Sequence, residues 1–546
     1  PFHFSSFSYS AHKIRVAVSA TLRWSWPLFC LLDDLFFFLL PMACHSINMM
    51  RFINAALDIL SLALPIILRS LINCICDRGT LALVGHFDPS QTHYDGAGLG
   101  KMYSNVTGLS LGFGFNFGLA TLCAQAYGAG RAMLDNPVLL RRSWVVLTFA
   151  FAFTLSAAIF CEPIMRRIGQ PADVSRTTSR FAQVHTVGIP FLWLVNGLEK
   201  CCDGIHQTRP SLYAQLAAAA FQVAFCVVAL HPQLLNWGYL GMAVARVVGA
   251  LVQFGVLVVC IRLMRLEAMV WRQSSRGSCS AVFSWVELRM YLSVSLPAAF
   301  LMWAEWWAFE GLTVIVGWLP SPKVALGAHA TLFNLIVVTY MVFTGLSNAV
   351  CAAVGKSVGA GQASVVPLQC VAAVLISVVL AAAVATAMFF GRDALAILFT
   401  SDARVRACAV AAMAGPCISV GGYSLLMTLF GVCRGANVQR WVTLQTLVGY
   451  AAGIPLAYYL GVRTRGGPPP LLGVWLGNAA ALYWGAFAST IIACRVDWSS
   501  VKGAAEATPP QEEPFLGHLD EHGDEEGTRS SPRTASEHGD ATGAAA

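Results

Sequence analysis

The chain has 546 residues, of which 57% are hydrophobic and only 12% charged, with a formal net charge of +7 and a mean hydropathy of +0.63. So much apolar surface cannot be covered by the polar groups of a water-soluble fold, and the solvent for most of the chain is therefore lipid. The positive charge sits in short loops, and no basic stripe with interleaved aromatics marks a nucleic-acid partner.

Residues 1–56 read as a region apart from the membrane core. Leu28 to Leu40 is apolar but holds Asp33-Asp34 and is short for a span. A start at Met42, Met49 or Met50 would remove it, so residues 1–41 read as a gene-model artefact, with an interfacial anchor as the alternative. A signal peptide is not expected, because a basic stretch feeding into a clean apolar core and a small-residue cleavage site are lacking.

A membrane core of about 30 Å needs about 20 apolar residues per helical crossing. Runs of that kind occur near 57–85, 94–122, 138–161, 181–200, 211–230, 239–264, 287–318, 324–350, 366–390, 404–430, 440–461 and 471–494. The expected fold is therefore an all-α integral membrane protein with twelve transmembrane helices. The loops are short and marked by Pro, Gly or Asp, as at His86-Phe87-Asp88-Pro89 and Leu319-Pro320-Ser321-Pro322. The longest internal polar stretch, about 265–286, carries Arg265, Arg272 and Arg276 and divides the spans into an N-lobe (57–266), a cytoplasmic linker (267–286) and a C-lobe (287–498). That orientation puts Arg131, Arg141, Arg142, Lys356, Arg434, Arg440 and both termini inside, and Arg166, Arg167, Arg392, Arg404 and Arg463 outside. Residues 499–546 are acidic and small and read as a disordered cytoplasmic tail.

An internal repeat organises the spans. Gln125-Ala126-Tyr127-Gly128-Ala129-Gly130 answers Lys356-Ser357-Val358-Gly359-Ala360-Gly361 at an offset of 231. Leu64-Pro65 answers Leu296-Pro297, GQPADV from Gly169 answers TSDARV from Thr400, and Leu240-Gly241 answers Leu472-Gly473 at 231 or 232. Four matches in chain order imply a duplicated six-helix unit. Six being even, the two pseudo-symmetric lobes enter the membrane from the same side, with a substrate site expected between them near the midplane.

Several chemistries fall away. The seventeen cysteines are scattered through apolar spans without a CxxC pair, which suits helix packing, so neither structural zinc nor disulfides are expected. Asn105-Val106-Thr107 is a glycosylation sequon, but it lies inside a span. Val354-Gly355-Lys356-Ser357 imitates the end of a phosphate loop, yet the opening glycine would be Val350, so no nucleotide is expected.

The most informative segment is Trp303-Ala304-Glu305-Trp306-Trp307-Ala308-Phe309-Glu310 in the seventh span. A carboxylate in hydrocarbon costs roughly 2.5 to 3.5 kcal/mol on insertion scales, so it is kept mainly where it binds or moves something. On a helix Glu305 and Glu310 lie about 140° apart and face different sides, whereas Trp306 and Glu310 share one. Trp306 beside a carboxylate offers a cation–π face, against the plain alternative of lipid-facing bulk. Asn105, Gln125, Asn334 and Tyr340 are candidate cavity liners that could equally tie helices together.

The strings LALPI (62–66), NVTG (105–108), AQAYGAG (124–130), RRSWVVL (141–147), EWWAFE (305–310), YMVFTGLSNAV (340–350), GKSVGAG (355–361) and GVCRGANVQ (431–439) resemble the landmarks of the eukaryotic multidrug and toxic compound extrusion (MATE) family, in family order, over residues 57–498. The resemblance implies a V-shaped exporter that exchanges protons for organic cations or other amphipathic solutes. It makes Glu305 the essential proton or cation site and Glu310 its helper. It also exposes a departure: where eukaryotic members carry an acid in the tenth helix this chain has Tyr423, which joins the substrate-site candidates. Bacterial relatives often have an acid at the position of Thr80; here Asp77 lies one turn before it, either a second ion site or a pair with Arg78.

The function expected is thus a secondary antiporter, not an enzyme, in the plasma membrane or an endomembrane. It acts as a monomer without cofactor or metal, driven by a proton gradient, with sodium as the alternative. A lipid or lipid-linked flippase of the same superfamily fold, or a degenerate membrane sensor or enzyme, is the competing reading.

Overall fold

The computed structural model describes residues 49–272, 282–464, 467–498 and 500–501, which lie within one compact unit, Pro1–Ala507. The readings made of residues 1–41 and of the acidic tail lie outside the described residues.

Every regular element among the described residues is helical. In chain order the long helices are α1 (Met49–Phe87), α2 (Gln91–Gly128), α3 (Ala132–Ile159), α4 (Ala172–Gly204), α5 (Arg209–Leu230), α6 (Leu240–Leu263), α7 (Trp285–Val316), α8 (Pro322–Gly359), α9 (Val366–Phe390), α10 (Ala414–Gly435), α11 (Gln439–Tyr458) and α12 (Pro470–Arg495). Eleven are long and apolar enough to cross a membrane. The exception, α11, is made more polar by Gln439, Arg440, Thr443, Gln445 and Thr446, yet it packs along α12 and α7 and is extended by a π-helical turn, Tyr459–Arg463. The twelve expected spans are therefore all present as helices. Large apolar side chains point outward, with Leu64 71%, Phe149 75% and Phe390 80% exposed, as a lipid-facing surface requires.

Local sequence explains several boundaries. Pro210, Pro322 and Pro470 occupy first turns, where the missing N–H has no intrahelical partner to lose. Asp402 caps Ala403–Ala412 by accepting from the Arg404 and Val405 amides. Within α2 the NVTG string forms a π-helical turn, Asn105–Leu109. Such a turn loosens the helical ladder, and here the Val106 carbonyl accepts from the Trp303 indole of α7 at 3.2 Å.

The duplication reappears as packing. α1 packs on α8 and α2 on α7, one contact made twice, and α2 meets α8 between them. At that meeting the two copies of the glycine motif face each other. A Cβ on Gly128 would collide with the Lys356 carbonyl, and one on Gly359 with the Gln125 carbonyl. Both pairs keep the offset of 231, so the sequence repeat is a pseudo-twofold seam that only glycine permits.

The region between the halves departs from a purely polar linker. A short helix, Glu267–Val270, packs on α3, Val270 is fully buried, and the Met269 carbonyl accepts from Asn136 at 3.1 Å. Its apolar residues pin the chain before residues 273–281, which lie outside the described residues.

Candidate functional site

Glu305 lies about two-thirds of the way along α7 and is 7% exposed. Its Oε1 has no hydrogen-bond partner, and it forms no ion pair among the described residues. Helices far apart in sequence surround it. Tyr340 of α8 and Tyr423 of α10 stack with parallel rings, centroids 3.5 Å apart and planes within 4°. The Tyr423 hydroxyl lies 3.1 Å from Thr344 Oγ1 and faces the Glu305 carboxylate. Tyr450 of α11 also lies close to Glu305, and the hydroxyls of Tyr340 and Tyr450 have no partner. A buried carboxylate walled by tyrosines, with open hydroxyls and no fixed cation, is a ready acceptor for a proton or a small cation.

Glu310, half-buried and five residues on, likewise has no ion pair or hydrogen bond among the described residues. Trp306 is half-buried and donates from Nε1 to the Met302 sulfur at 3.2 Å, which turns its ring along α7. Trp307 is 52% exposed and stands edge-on to Trp303.

The other residues singled out in the sequence are not gathered here. Asp77 is paired with Lys101 of α2 at 2.7 Å, so the suggested pairing with Arg78 is corrected: neighbouring residues on a helix diverge by about 100°, and Arg78 turns instead toward α8. There it donates to Asn334 Oδ1 at 3.2 Å, which makes Asn334 a tie between α1 and α8. Gln125 is fully buried and donates to the Gly435 carbonyl of α10 at 2.8 Å; it too ties helices together. Asn105 is half-buried at the head of the π-turn.

The structure adds a second polar cluster that the sequence reading did not single out. Arg69 of α1 forms a two-pronged pair with Asp203 of α4, at 3.2 and 2.8 Å, and lies 3.7 Å from Glu199. Gln253 of α6 bridges Glu199 and Gln215. Lys200 is 3% and Arg434 1% exposed, and their charges approach the Phe117 ring at 5.0 and 4.4 Å. The fourth span was expected to end at Lys200, but α4 runs on to Gly204 and carries these charges into the interior. Arg142 and Arg434, read as loop charges, are buried as well, Arg142 against Glu287 at 2.9 Å. The run Glu199-Lys200-Cys201-Cys202-Asp203, alternating acids and a base at the end of an apolar stretch, was the available signal.

Comparison with known proteins bears on the fold and the family. A family model, MatE, matches residues 65–228 and 297–459, once in each half. Multidrug and toxin extrusion protein 1 of Danio rerio is 24% identical over 471 residues, covering 84% of this chain and 76% of that protein. Protein DETOXIFICATION 30 of Arabidopsis thaliana is 26% identical over 452 residues, covering 82% and 86%. The crystal structure of the eukaryotic MATE transporter AtDTX14 superposes with a TM-score of 0.76 at 22% identity, over 82% of this chain and 97% of that one. With two helical halves related by duplication and the family model matching each of them, the chain belongs to the MatE family, whose members are membrane transporters and not enzymes.

Proposed function

We propose that this chain is a secondary antiporter that exports organic cations or amphipathic solutes in exchange for protons, with sodium as the alternative coupling ion. One observation carries the reading. The interior carboxylates of the first six helices, Asp77, Glu199 and Asp203, each lie against Lys or Arg, whereas Glu305 and Glu310 in α7 have no such partner among the described residues. Carboxylates left unpaired at membrane depth are costly, and a site that must alternate between a proton and a cationic solute cannot hold a permanent counter-ion. The relatives named for multidrug and toxin extrusion support the same class of substrate.

In this reading the termini and the Gly128–Gly359 seam are cytoplasmic, so the structure is closed on that side and transport requires the seam to part. The protein works as a monomer in the plasma membrane or an endomembrane, without a cofactor. The test is uptake of tetraethylammonium into proteoliposomes under an imposed pH or sodium gradient. Exchange driven by neither gradient would remove the antiporter reading.

A further inference from the structure

α11 and α12 run antiparallel, and glycine sets how closely they lie. In the half away from the Gly128–Gly359 seam they touch backbone to backbone: a Cβ on Gly477 would collide with Ala457, and one on Gly453 with Ala481. In the half nearer the seam, bulky side chains replace glycine. There Trp441 of α11 and Trp484, Phe487 and Ile491 of α12 line a groove of about 520 Å³ between the two helices. No element among the described residues covers it, and Trp441, Trp484 and Phe487 are 50%, 45% and 49% exposed.

The groove extends along α12 from Trp484 to Arg495, about 16 Å at 1.5 Å per residue. That is the depth of one leaflet, half of a hydrocarbon core of about 30 Å. Two cations mark its end. Arg495, in the last turn of α12, lines the groove itself, and Arg440, in the first turn of α11, lays its guanidinium over the Trp441 ring at 5.1 Å. Both are exposed, and neither forms an ion pair or hydrogen bond among the described residues; Asp497, past the end of α12, does not pair with Arg495. The helix dipole would account for Arg495 at a C-terminus, but it disfavours Arg440 at an N-terminus. An apolar slot one leaflet deep with two open guanidinium forks at the water boundary has the shape and charge of a site for a phosphate on an acyl chain.

We propose that this groove holds one anionic phospholipid, with an acyl chain along Phe487 and Trp484 and its phosphate against Arg495 and Arg440. The lipid occupies the back of the face by which α11 holds α7. Gln439 and Thr443 donate to the Val294 and Pro297 carbonyls of α7 at 2.9 and 3.1 Å, and Trp441 and Gln445 each lie about 200° further round the helix. A seated lipid therefore presses α11 onto the helix that carries Glu305. The site does not rest on the antiporter reading; with the termini inside, it lies in the cytoplasmic leaflet, where anionic lipids concentrate.

The experiment is native mass spectrometry of the purified full chain, titrated with dioleoyl phosphatidylglycerol and, separately, with dioleoyl phosphatidylcholine or cholesterol. The wild type is expected to retain one phosphatidylglycerol at concentrations where the other two are not retained. Arg495→Gln and Arg440→Gln should each weaken that binding about fivefold, since one basic residue beside an anionic headgroup contributes about 1 kcal/mol. Arg463→Gln removes the same charge beside another ring, that of Tyr458 at 5.9 Å, at the opposite end of α11, and should change nothing. All three arginines are exposed, so their variants test binding and not folding. Ala488→Phe, which fills the groove, should lower retention with both arginines in place. Equal affinity for the two phospholipids, or an equal loss in Arg463→Gln, overturns the proposal in favour of general surface attraction. Unchanged retention by a folded Ala488→Phe protein overturns it as well. Preferential retention of cholesterol, or a dimer that Trp441→Ala dissociates, would assign the groove to a sterol or to a second copy of the chain instead.

Discussion

Replacing Glu305 by Gln tests the centre of the argument, because it removes a charge and almost nothing else. The amide has the shape of the carboxyl and can still accept from the Tyr423 hydroxyl that faces it. Because no cation among the described residues loses a partner, the cost to stability should stay within about 1.5 kcal/mol, the range of one hydrogen bond. The effect on a bound cation is much larger. An ammonium about 4 Å from a carboxylate gains about 4 kcal/mol at an effective dielectric of about 20, which corresponds to nearly three orders of magnitude in affinity. Glu310 and the tyrosine rings remain, so a loss of about a hundredfold to a thousandfold in tetraethylammonium affinity is expected, with gradient-driven exchange abolished. The assay is equilibrium binding together with proteoliposome exchange under an imposed pH gradient, at matched reconstitution and with thermal midpoints compared. Near-normal exchange by a stably folded Glu305→Gln protein would refute the assignment of α7 as the coupling element.

Trp306→Ala should weaken tetraethylammonium binding by roughly twofold to thirtyfold, the span of one cation–π contact of about 0.5 to 2 kcal/mol, and change transport of a neutral solute less; equal losses would make Trp306 a packing residue. Gly359→Ala drives a methyl into the Gln125 carbonyl, at a cost of about 1 to 3 kcal/mol to the closed seam. Transport should fall at unchanged expression while a cysteine placed near the seam becomes more reactive to a water-soluble reagent; normal exchange would show that the seam is not part of the cycle. Outside the membrane spans, two backbone amides hold the Asp402 carboxyl below the usual carboxylate range. Its contribution is present above about pH 4, the ordinary carboxylate value, and is lost as pH falls through the lower folded value. Asp402→Ala should therefore speed amide exchange in Ala403–Ala412 near neutral pH, and a pH-independent difference would reject the cap.

Much of this protein is written in its local sequence. Hydropathy over about 20 residues marks where the chain can cross the membrane, which is why eleven helices long and apolar enough to do so stand where the sequence placed them, while α11, with its polar first turns, is present as a helix that falls short of that measure. The repeat at an offset of 231 was visible because packing Gly128 and Gly359 against each other's helices allows no other residue. Glu305 stood out because an acid within an apolar run is conspicuous without any knowledge of its neighbours. Partner choice was not legible. Tyr340, Tyr423 and Tyr450 meet Glu305 only because α8, α10 and α11 close around α7, and nothing in four separated spans states that they adjoin. Asp77 lies next to Arg78 in the chain but pairs with Lys101 across a helix boundary, since adjacent residues on a helix point apart. Arg69 and Asp203, 134 residues apart, could not be matched from the sequence, and Asp203 lies past the end of the expected span at 200, so that only the longer α4 brings it inward. Composition and periodicity determine which segments enter the lipid; the packing of those segments decides which charges are neutralised and which are left free to bind.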